Sequence, residues 1–205
     1  MPVIEIFADI WCPFAHVGLR ALVAQRQARG RDDLPLWIRA WPLELVNSKP
    51  LDAHEVAEEI ADLRAQVAPD LFAGFDEGAF PTTTLPALAL ASRAYRCDTR
   101  TGEQVSLGLR NALFEEGRDI ADIEVLASIA RLYDIDGASP EDDEIVRNDW
   151  KDGQRRGVEG SPHFFCGGVS AFCPSLDISK DDNGHLHVRA DTAGLDHFVS
   201  QCLAS

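Results

Sequence analysis

Residues 3–7 alternate apolar side chains around Glu5 and read as a buried strand. Pro13 then fits the first position of a helix, in which Phe14, Val17, Ala21 and Ala28 recur at helical spacing up to Gly30. Residues 34–41 predict a second strand, with Leu36, Ile38 and Ala40 on one face. The first forty residues therefore form a β-α-β unit. The middle of the chain reads as helices in series. Asp52 caps the first, with Glu55 three residues on and Leu51 set to staple against Val56; Ile60, Leu63 and Val67 continue the stripe. Thr84 opens a second helix carrying Leu85, Leu88 and Tyr95. A capping box from Thr101 to Gln104 precedes Val105, Leu109 and Leu113. Asp122 opens a fourth helix with Val125, Leu126, Ile129 and Tyr133, and Ser139-Pro140 a fifth with acids in its first turn. Strand pattern returns at residues 163–166, turns at Gly167-Gly168, and runs back through residues 169–172. A second turn at residues 181–184 separates residues 176–178 from 185–188. Thr192 precedes a final amphipathic helix with Leu195, Phe198, Val199, Cys202 and Leu203.

This order predicts an α/β fold with a large all-helical insertion. Residues 1–48 and 155–205 form the sheet domain, and residues 49–154 the helical subdomain. No apolar run approaches the about 20 residues that span a bilayer. The N-terminus lacks a basic region ahead of its apolar stretch, so it reads as a strand rather than a signal peptide, which predicts a cytoplasmic protein. The net charge of −15 argues against nucleic acid or an anionic membrane as partner. The acids, including Glu58/Glu59 and Glu115/Glu116, are spread along the chain and read as solvated faces.

Five cysteines without regular spacing suggest no structural metal. Cys166 and Cys202 read as core residues, and Cys97 closes a helix. Cys12 differs from these. It stands where the first strand gives way to the first helix, the edge on which open α/β sheets carry their sites. A thiol there faces unpaired N–H groups and the positive end of the helix dipole, which favours its thiolate. His16, one turn on, is placed to stack over that thiol or to supply charge. Trp11 and Phe14, with Trp41 and Pro42 at the end of the second strand, would line an apolar approach.

Asp9-x-x-Cys12-Pro13-Phe14-Ala15-His16-x-Gly18, followed by the helical insertion and then residues 158–165 with Gly160-Ser161-Pro162, resembles the thioredoxin superfamily. More narrowly it is similar to the DsbA-like branch that includes kappa-class glutathione transferases and 2-hydroxychromene-2-carboxylate isomerases. Residues 113–120 resemble the insertion helices of that branch, and residues 177–188 are longer than its minimum. The resemblance implies a thioredoxin-like fold, a cis Pro162 lying against Cys12, and a backbone at Ser161 able to pair with an extended thiol peptide. Ala15 stands where dithiol members carry the cysteine that resolves a mixed disulfide, and Cys12 stands where glutathione-using members carry a serine.

Three readings follow from the resemblance. The first is a monothiol oxidoreductase forming mixed disulfides with a small thiol or a protein disulfide, with Pro13, Phe14 and His16 around the thiol. The second is a transferase or isomerase that uses glutathione or mycothiol, with Ser175 and the backbone near Cys173 contacting the cofactor. The third is a non-catalytic thiol- or peptide-binding module. Cys173 is placed alternatively to contact a ligand, to resolve Cys12, or to pack. No tightly bound cofactor is expected, and a homodimer is the expected assembly.

Overall fold

The structure, a computed structural model, describes residues 2–181 and 185–204. Its main sheet has four strands in the order β2-β1-β3-β4. Strand β1 (Ile4–Ala8) runs parallel to β2 (Leu36–Ala40) and antiparallel to β3 (His163–Cys166), which pairs antiparallel with β4 (Val169–Phe172). The sheet is thus assembled from the two ends of the chain. Parallel strands need a crossover, and helix α1 (Pro13–Ala28) supplies it. Between β2 and β3 come α2 (Leu43–Val46), α3 (Ala53–Gln66), a single 3-10 turn (Glu77–Ala79), α4 (Leu85–Cys97), α5 (Thr99–Phe114), α6 (Ile123–Leu132) and α7 (Pro140–Arg156). A two-stranded sheet, β5 (Leu176–Lys180) with β6 (Leu186–Ala190), and helix α8 (Thr192–Ala204) complete the chain. The turn predicted at residues 181–184 falls largely outside the described residues.

Two apolar cores result. One lies under the main sheet: Ile4, Ile6 and Ala8 of β1 and Phe164 of β3 pack on Leu19 and Leu22 of α1 and on Leu195 and Phe198 of α8. The opposite sheet face carries Phe7, edge-on to Trp41 and Phe165, and is covered by α7, whose Gly153 leaves no room for a Cβ beside Trp41. The second core joins α3, α4, α5 and α6 through Ile60, Leu88, Leu109 and Ile129, and also takes in Trp11, Cys173, Leu186 and Val188. Strand β2 is an edge, and Tyr95 closes part of it: its hydroxyl accepts from the Ile38 N–H at 2.9 Å and donates to the Leu36 carbonyl at 3.0 Å.

Most helix starts fall where the caps predicted. Asp52 accepts from the N–H groups of His54 and Glu55, Asp122 accepts from that of Glu124, and Ser139 forms a capping box with Asp142. Two expectations need correction. Helix α5 begins at Thr99, capped by Asp98, so Thr101 lies inside the first turn. In α1 the buried residues are Ala15, His16, Val17, Leu19, Leu22 and Arg26, whereas Phe14 and Ala21 are half-buried and Ala28 is exposed. Helix α1 is covered on more than one side, so a single apolar stripe does not describe it. Cys166 and Cys202 are both buried, but as partners: they form a disulfide joining β3 to α8.

Candidate active site

Cys12 is the N-cap of α1, with extended backbone and its carbonyl accepting from the His16 N–H at 3.1 Å. Pro13, which needs no hydrogen bond at its nitrogen, occupies the first helical position and is buried. The Ser161–Pro162 peptide bond above it is cis. The Cys12 thiol donates to the Ser161 carbonyl at 3.1 Å, and the Ser161 hydroxyl accepts from the Asp9 N–H at 2.9 Å. Ala15, fully buried, holds the next turn.

The thiol is buried, which overturns the expectation that the helix N-terminus favours its thiolate. Cys12 is 4% exposed, and burial pushes its pKa up to about 12. A rise of that size corresponds to several kcal/mol, whereas a helix terminus supplies at most about 2 kcal/mol. Desolvation therefore wins over the dipole in this closed arrangement, and the resting thiol is protonated. Glu59 of α3 and Asp9 both face it with negative charge and add to the rise. Burial lifts the pKa of Glu59 to about 7.

His16 is buried, and its ring engages Glu115, Phe72 and Phe114. Nε2 lies 2.7 Å from Glu115 Oε1. Burial lowers the His16 pKa. Burial pushes Glu115 upward too, but the bond from His16 and those from the N–H groups of Phe72 and Ala73 outweigh it and hold the carboxyl at about 2. At neutral pH the pair is thus a neutral imidazole donating from Nε2 to a carboxylate, rather than an ion pair. Glu115 is correspondingly not part of a solvated acidic face, as its position in an acidic pair had suggested. The aromatic approach predicted beside the thiol is likewise core: Trp11 is fully buried and stacked on Phe80, and Trp41 packs against Phe7. Phe14 is half-buried between the two cores.

Asp9 and Arg110, both fully buried, brace the strand–helix junction. The Asp9 carboxylate accepts from the N–H groups of Ile10 at 2.7 Å and Leu43 at 2.5 Å, and burial raises its pKa to about 6. Arg110 donates to the Asp9 carbonyl at 3.0 Å and to the Ser106 hydroxyl at 2.7 Å; burial lowers its pKa to about 10. Arg110 and Ser106 escaped the sequence reading. The available signal is their spacing of four on the face that carries Val105, Leu109 and Leu113.

The β3–β4 ladder brings Cys173 into the same site. His163 pairs with Phe172, and one step further the Cys173 N–H donates to the Pro162 carbonyl at 2.9 Å. Cys173 is 3% exposed, and its φ of 44° lies in the left-handed region that a non-glycine residue adopts at a cost. Burial raises its pKa to about 12, and a negative charge on Cys12 would raise it further. Cys173 also lines a cleft of about 470 Å³ with Phe172, Pro174, Leu176 and Arg189. Ser175 is buried, and its hydroxyl has no hydrogen-bond partner among the described residues. A Cβ at Gly18 would stand 3.0 Å from that hydroxyl and 3.5 Å from the Pro162 ring, so glycine allows this close approach to α1. Among the described residues no group of three His, Cys, Asp or Glu side chains could hold a metal ion.

The DSBA-like thioredoxin domain family matches residues 3–180. The chain belongs to that family. Its fold is similar to that of the cytosolic disulfide reductase DsbM from Pseudomonas aeruginosa, at 16% identity and a TM-score of 0.64, covering 99% of this chain and 100% of the other. It is also similar to a structure described as a probable DsbA oxidoreductase from Streptomyces coelicolor, at 18% identity and a TM-score of 0.66, covering 100% and 91%. A 2-hydroxychromene-2-carboxylate isomerase matches at 15% identity and a TM-score of 0.60, covering 83% and 88%. No curated protein sequence matches. Within this DSBA-like frame, the four-stranded sheet with its helical insertion is the thioredoxin-like architecture, and Cys12 occupies the strand–helix junction beneath the cis proline. No helix among the described residues is long and apolar enough to cross a membrane.

Proposed function

We propose that this DSBA-like protein is a thiol–disulfide oxidoreductase working through the single thiol of Cys12. The observation that carries the reading is the 3.1 Å contact of that thiol with the carbonyl of Ser161, beneath the cis Ser161–Pro162 bond. Cys12 is the nucleophile. Its thiolate attacks a substrate disulfide R–S–S–R′, forming Cys12–S–S–R and releasing R′–S⁻, which takes up a proton from solvent. The N-terminus of α1 stabilises the thiolate once solvent reaches it, and the backbone at Ser161 and Pro162 receives an extended thiol or peptide. Ala15 cannot resolve the adduct. The substrate is a small disulfide or a protein disulfide, and the site of action is the cytoplasm; the cytosolic DsbM fold supports the latter.

The test is exposure to oxidised glutathione followed by intact mass and peptide mapping. The reading expects Cys12 in a disulfide, with glutathione or with a second protein thiol, that Cys12→Ser lacks. Adducts confined to other cysteines, with Cys12 left as a free thiol, would overturn it.

A second reading, a transferase or isomerase that binds glutathione or mycothiol beside Cys12, draws on the buried, unpartnered Ser175 hydroxyl. DsbM with GSH, at 17% identity and a TM-score of 0.60 over 97% of this chain and 98% of the other, lends it a precedent in fold. Calorimetric titration of reduced glutathione into Cys12→Ser separates the readings: saturable binding favours this one, and a flat titration favours the monothiol enzyme.

A further inference from the structure

We infer that Cys173 is the resolving thiol of this site, replacing across the sheet the cysteine that Ala15 does not provide. The inference rests on the monothiol reading of Cys12 and supplies its missing step. Both thiols are anchored to one dipeptide. Cys12 donates its Sγ–H to the carbonyl of Ser161 at 3.1 Å, and Cys173 donates its N–H to the carbonyl of Pro162, the next residue, at 2.9 Å. Paired strands lie about 4.8 Å apart, so the Cys173 backbone stands one strand spacing from Pro162, while the Cys12 sulfur touches the peptide group just before it. Cys12 belongs to the core under the sheet and Cys173 to the helical core, and each bonds to the cis dipeptide. A negative charge on Cys12 acts on the Cys173 thiol.

Two further observations separate Cys173 from an inert core cysteine. Its left-handed backbone, with φ at 44°, turns the chain out of β4 directly beside Pro162, in a conformation that packing alone would fill more readily with glycine or asparagine. It also stands at the wall of the cleft of about 470 Å³ formed with Pro174, Leu176 and Arg189, though the residue itself is buried. The other cysteines have no such relation. Cys166 and Cys202 are joined to each other, and Cys97 is exposed at the end of α4.

The chemistry balances. The mixed disulfide Cys12–S–S–R is attacked at the Cys12 sulfur by the thiolate of Cys173. The Cys12–Cys173 disulfide forms, the S–S bond between Cys12 and the R–S group breaks, and the proton lost by Cys173 ends on the departing R–SH. Over both steps one low-molecular-weight disulfide oxidises two protein thiols and leaves as two molecules of thiol. The reverse sequence, driven by a small thiol, returns the pair to two free thiols and releases the small disulfide. A disulfide requires Cα atoms about 4.4–6.8 Å apart, so a linked peptide is direct evidence that the two residues come within that range.

The experiment uses the full chain carrying Cys97→Ser, treated with 5,5′-dithiobis(2-nitrobenzoate). Released thionitrobenzoate is counted by absorbance, and the product is mapped by mass spectrometry without reduction. The inference expects two equivalents released per chain, no retained adduct, and a peptide pair linked through Cys12 and Cys173. In the Cys97→Ser/Cys173→Ser chain it expects one equivalent released and a stable adduct on Cys12. A stable adduct on Cys12 while Cys173 is present and free, or separate adducts on both, overturns the inference and leaves the monothiol reading standing. Labelling that never reaches Cys12 overturns both. The linked peptide is read in a chain that keeps both thiols, so the result does not depend on how well Cys173→Ser folds.

Discussion

The guanidinium of Arg110 donates to the carbonyl of Asp9 at 3.0 Å, across 101 positions of sequence, and both residues are fully buried. A charge without solvent needs partners for its donors, and here Nη1 also bonds the carbonyl and hydroxyl of Ser106, while Nε has no partner among the described residues. The pair ties α5 to the segment that leads into Cys12. Arg110→Ala is expected to lower stability by about 1–3 kcal/mol, since it leaves the buried Asp9 carbonyl and Ser106 hydroxyl without their donor. Arg110→Met, which keeps most of the volume, is expected to cost less. Urea unfolding of the three proteins checks this, and equal midpoints would show that the contact carries no stability.

Cys12 and Cys173 make stability fall at high pH. Burial raises both from 9.0 to about 12. The unfolded chain ionises first, so their contribution is fully present below pH 9 and is lost as pH rises from about 9 towards 12. Cys12→Ala is expected to flatten that limb. The rate of Cys12 alkylation in the folded protein should likewise climb without a plateau through pH 10. A midpoint near that of a free thiol would mean the site is open in solution.

At the acid end the sign is reversed. The Glu115 pKa is held at about 2, below its ordinary 4.5, so the unfolded chain takes up protons first. The stabilisation is present above pH 4.5 and fades as pH falls towards 2. Glu115→Gln is expected to flatten this limb and to loosen the turn at Phe72 and Ala73. Melting temperatures measured from pH 6 to pH 2 test it, with parallel curves for the two proteins counting against it. Asp9, raised to about 6, works the opposite way, its stabilising contribution fading as pH rises through that value.

The Cys166–Cys202 disulfide closes a span of 36 residues between β3 and α8. Replacing both cysteines by alanine is expected to cost about 3–4 kcal/mol, chiefly by freeing the unfolded chain. Labelling of Cys12 should survive the change, because the disulfide and the thiol sit at different places in the sheet core. Denaturant midpoints and adduct mapping on the same samples separate the two effects.

Local signals placed most of the secondary structure. Asp52, Asp122 and Ser139 marked helix starts because a cap acts on N–H groups two or three residues away. The start of α5 was misplaced because Asp98 and Thr101 both suit a cap, and the Asp98 side chain takes the Thr101 N–H. Helix α1 misled for another reason. A 3.6-residue stripe assumes one buried face, and neighbours on several sides bury His16 and Arg26 as well as Leu19 and Leu22. Glu115 reads as a surface charge and Arg110 draws no notice, because nothing within four residues reveals that His16, or the Asp9 carbonyl, waits for them.

The sequence by itself determined that a cysteine followed by proline would open a helix at the end of a parallel strand, with alanine in the next turn. Those features depend on neighbours a few positions away. Whether that cysteine is a thiolate or a buried thiol was decided only by tertiary structure, through a contact with Ser161, 149 residues distant, and the water it excludes. The same holds for the pairing of Cys166 with Cys202 and for Cys173 beside Pro162. Desolvation and thiol proximity belong to the packed chain, because no stretch of sequence can set how far water lies from a sulfur atom.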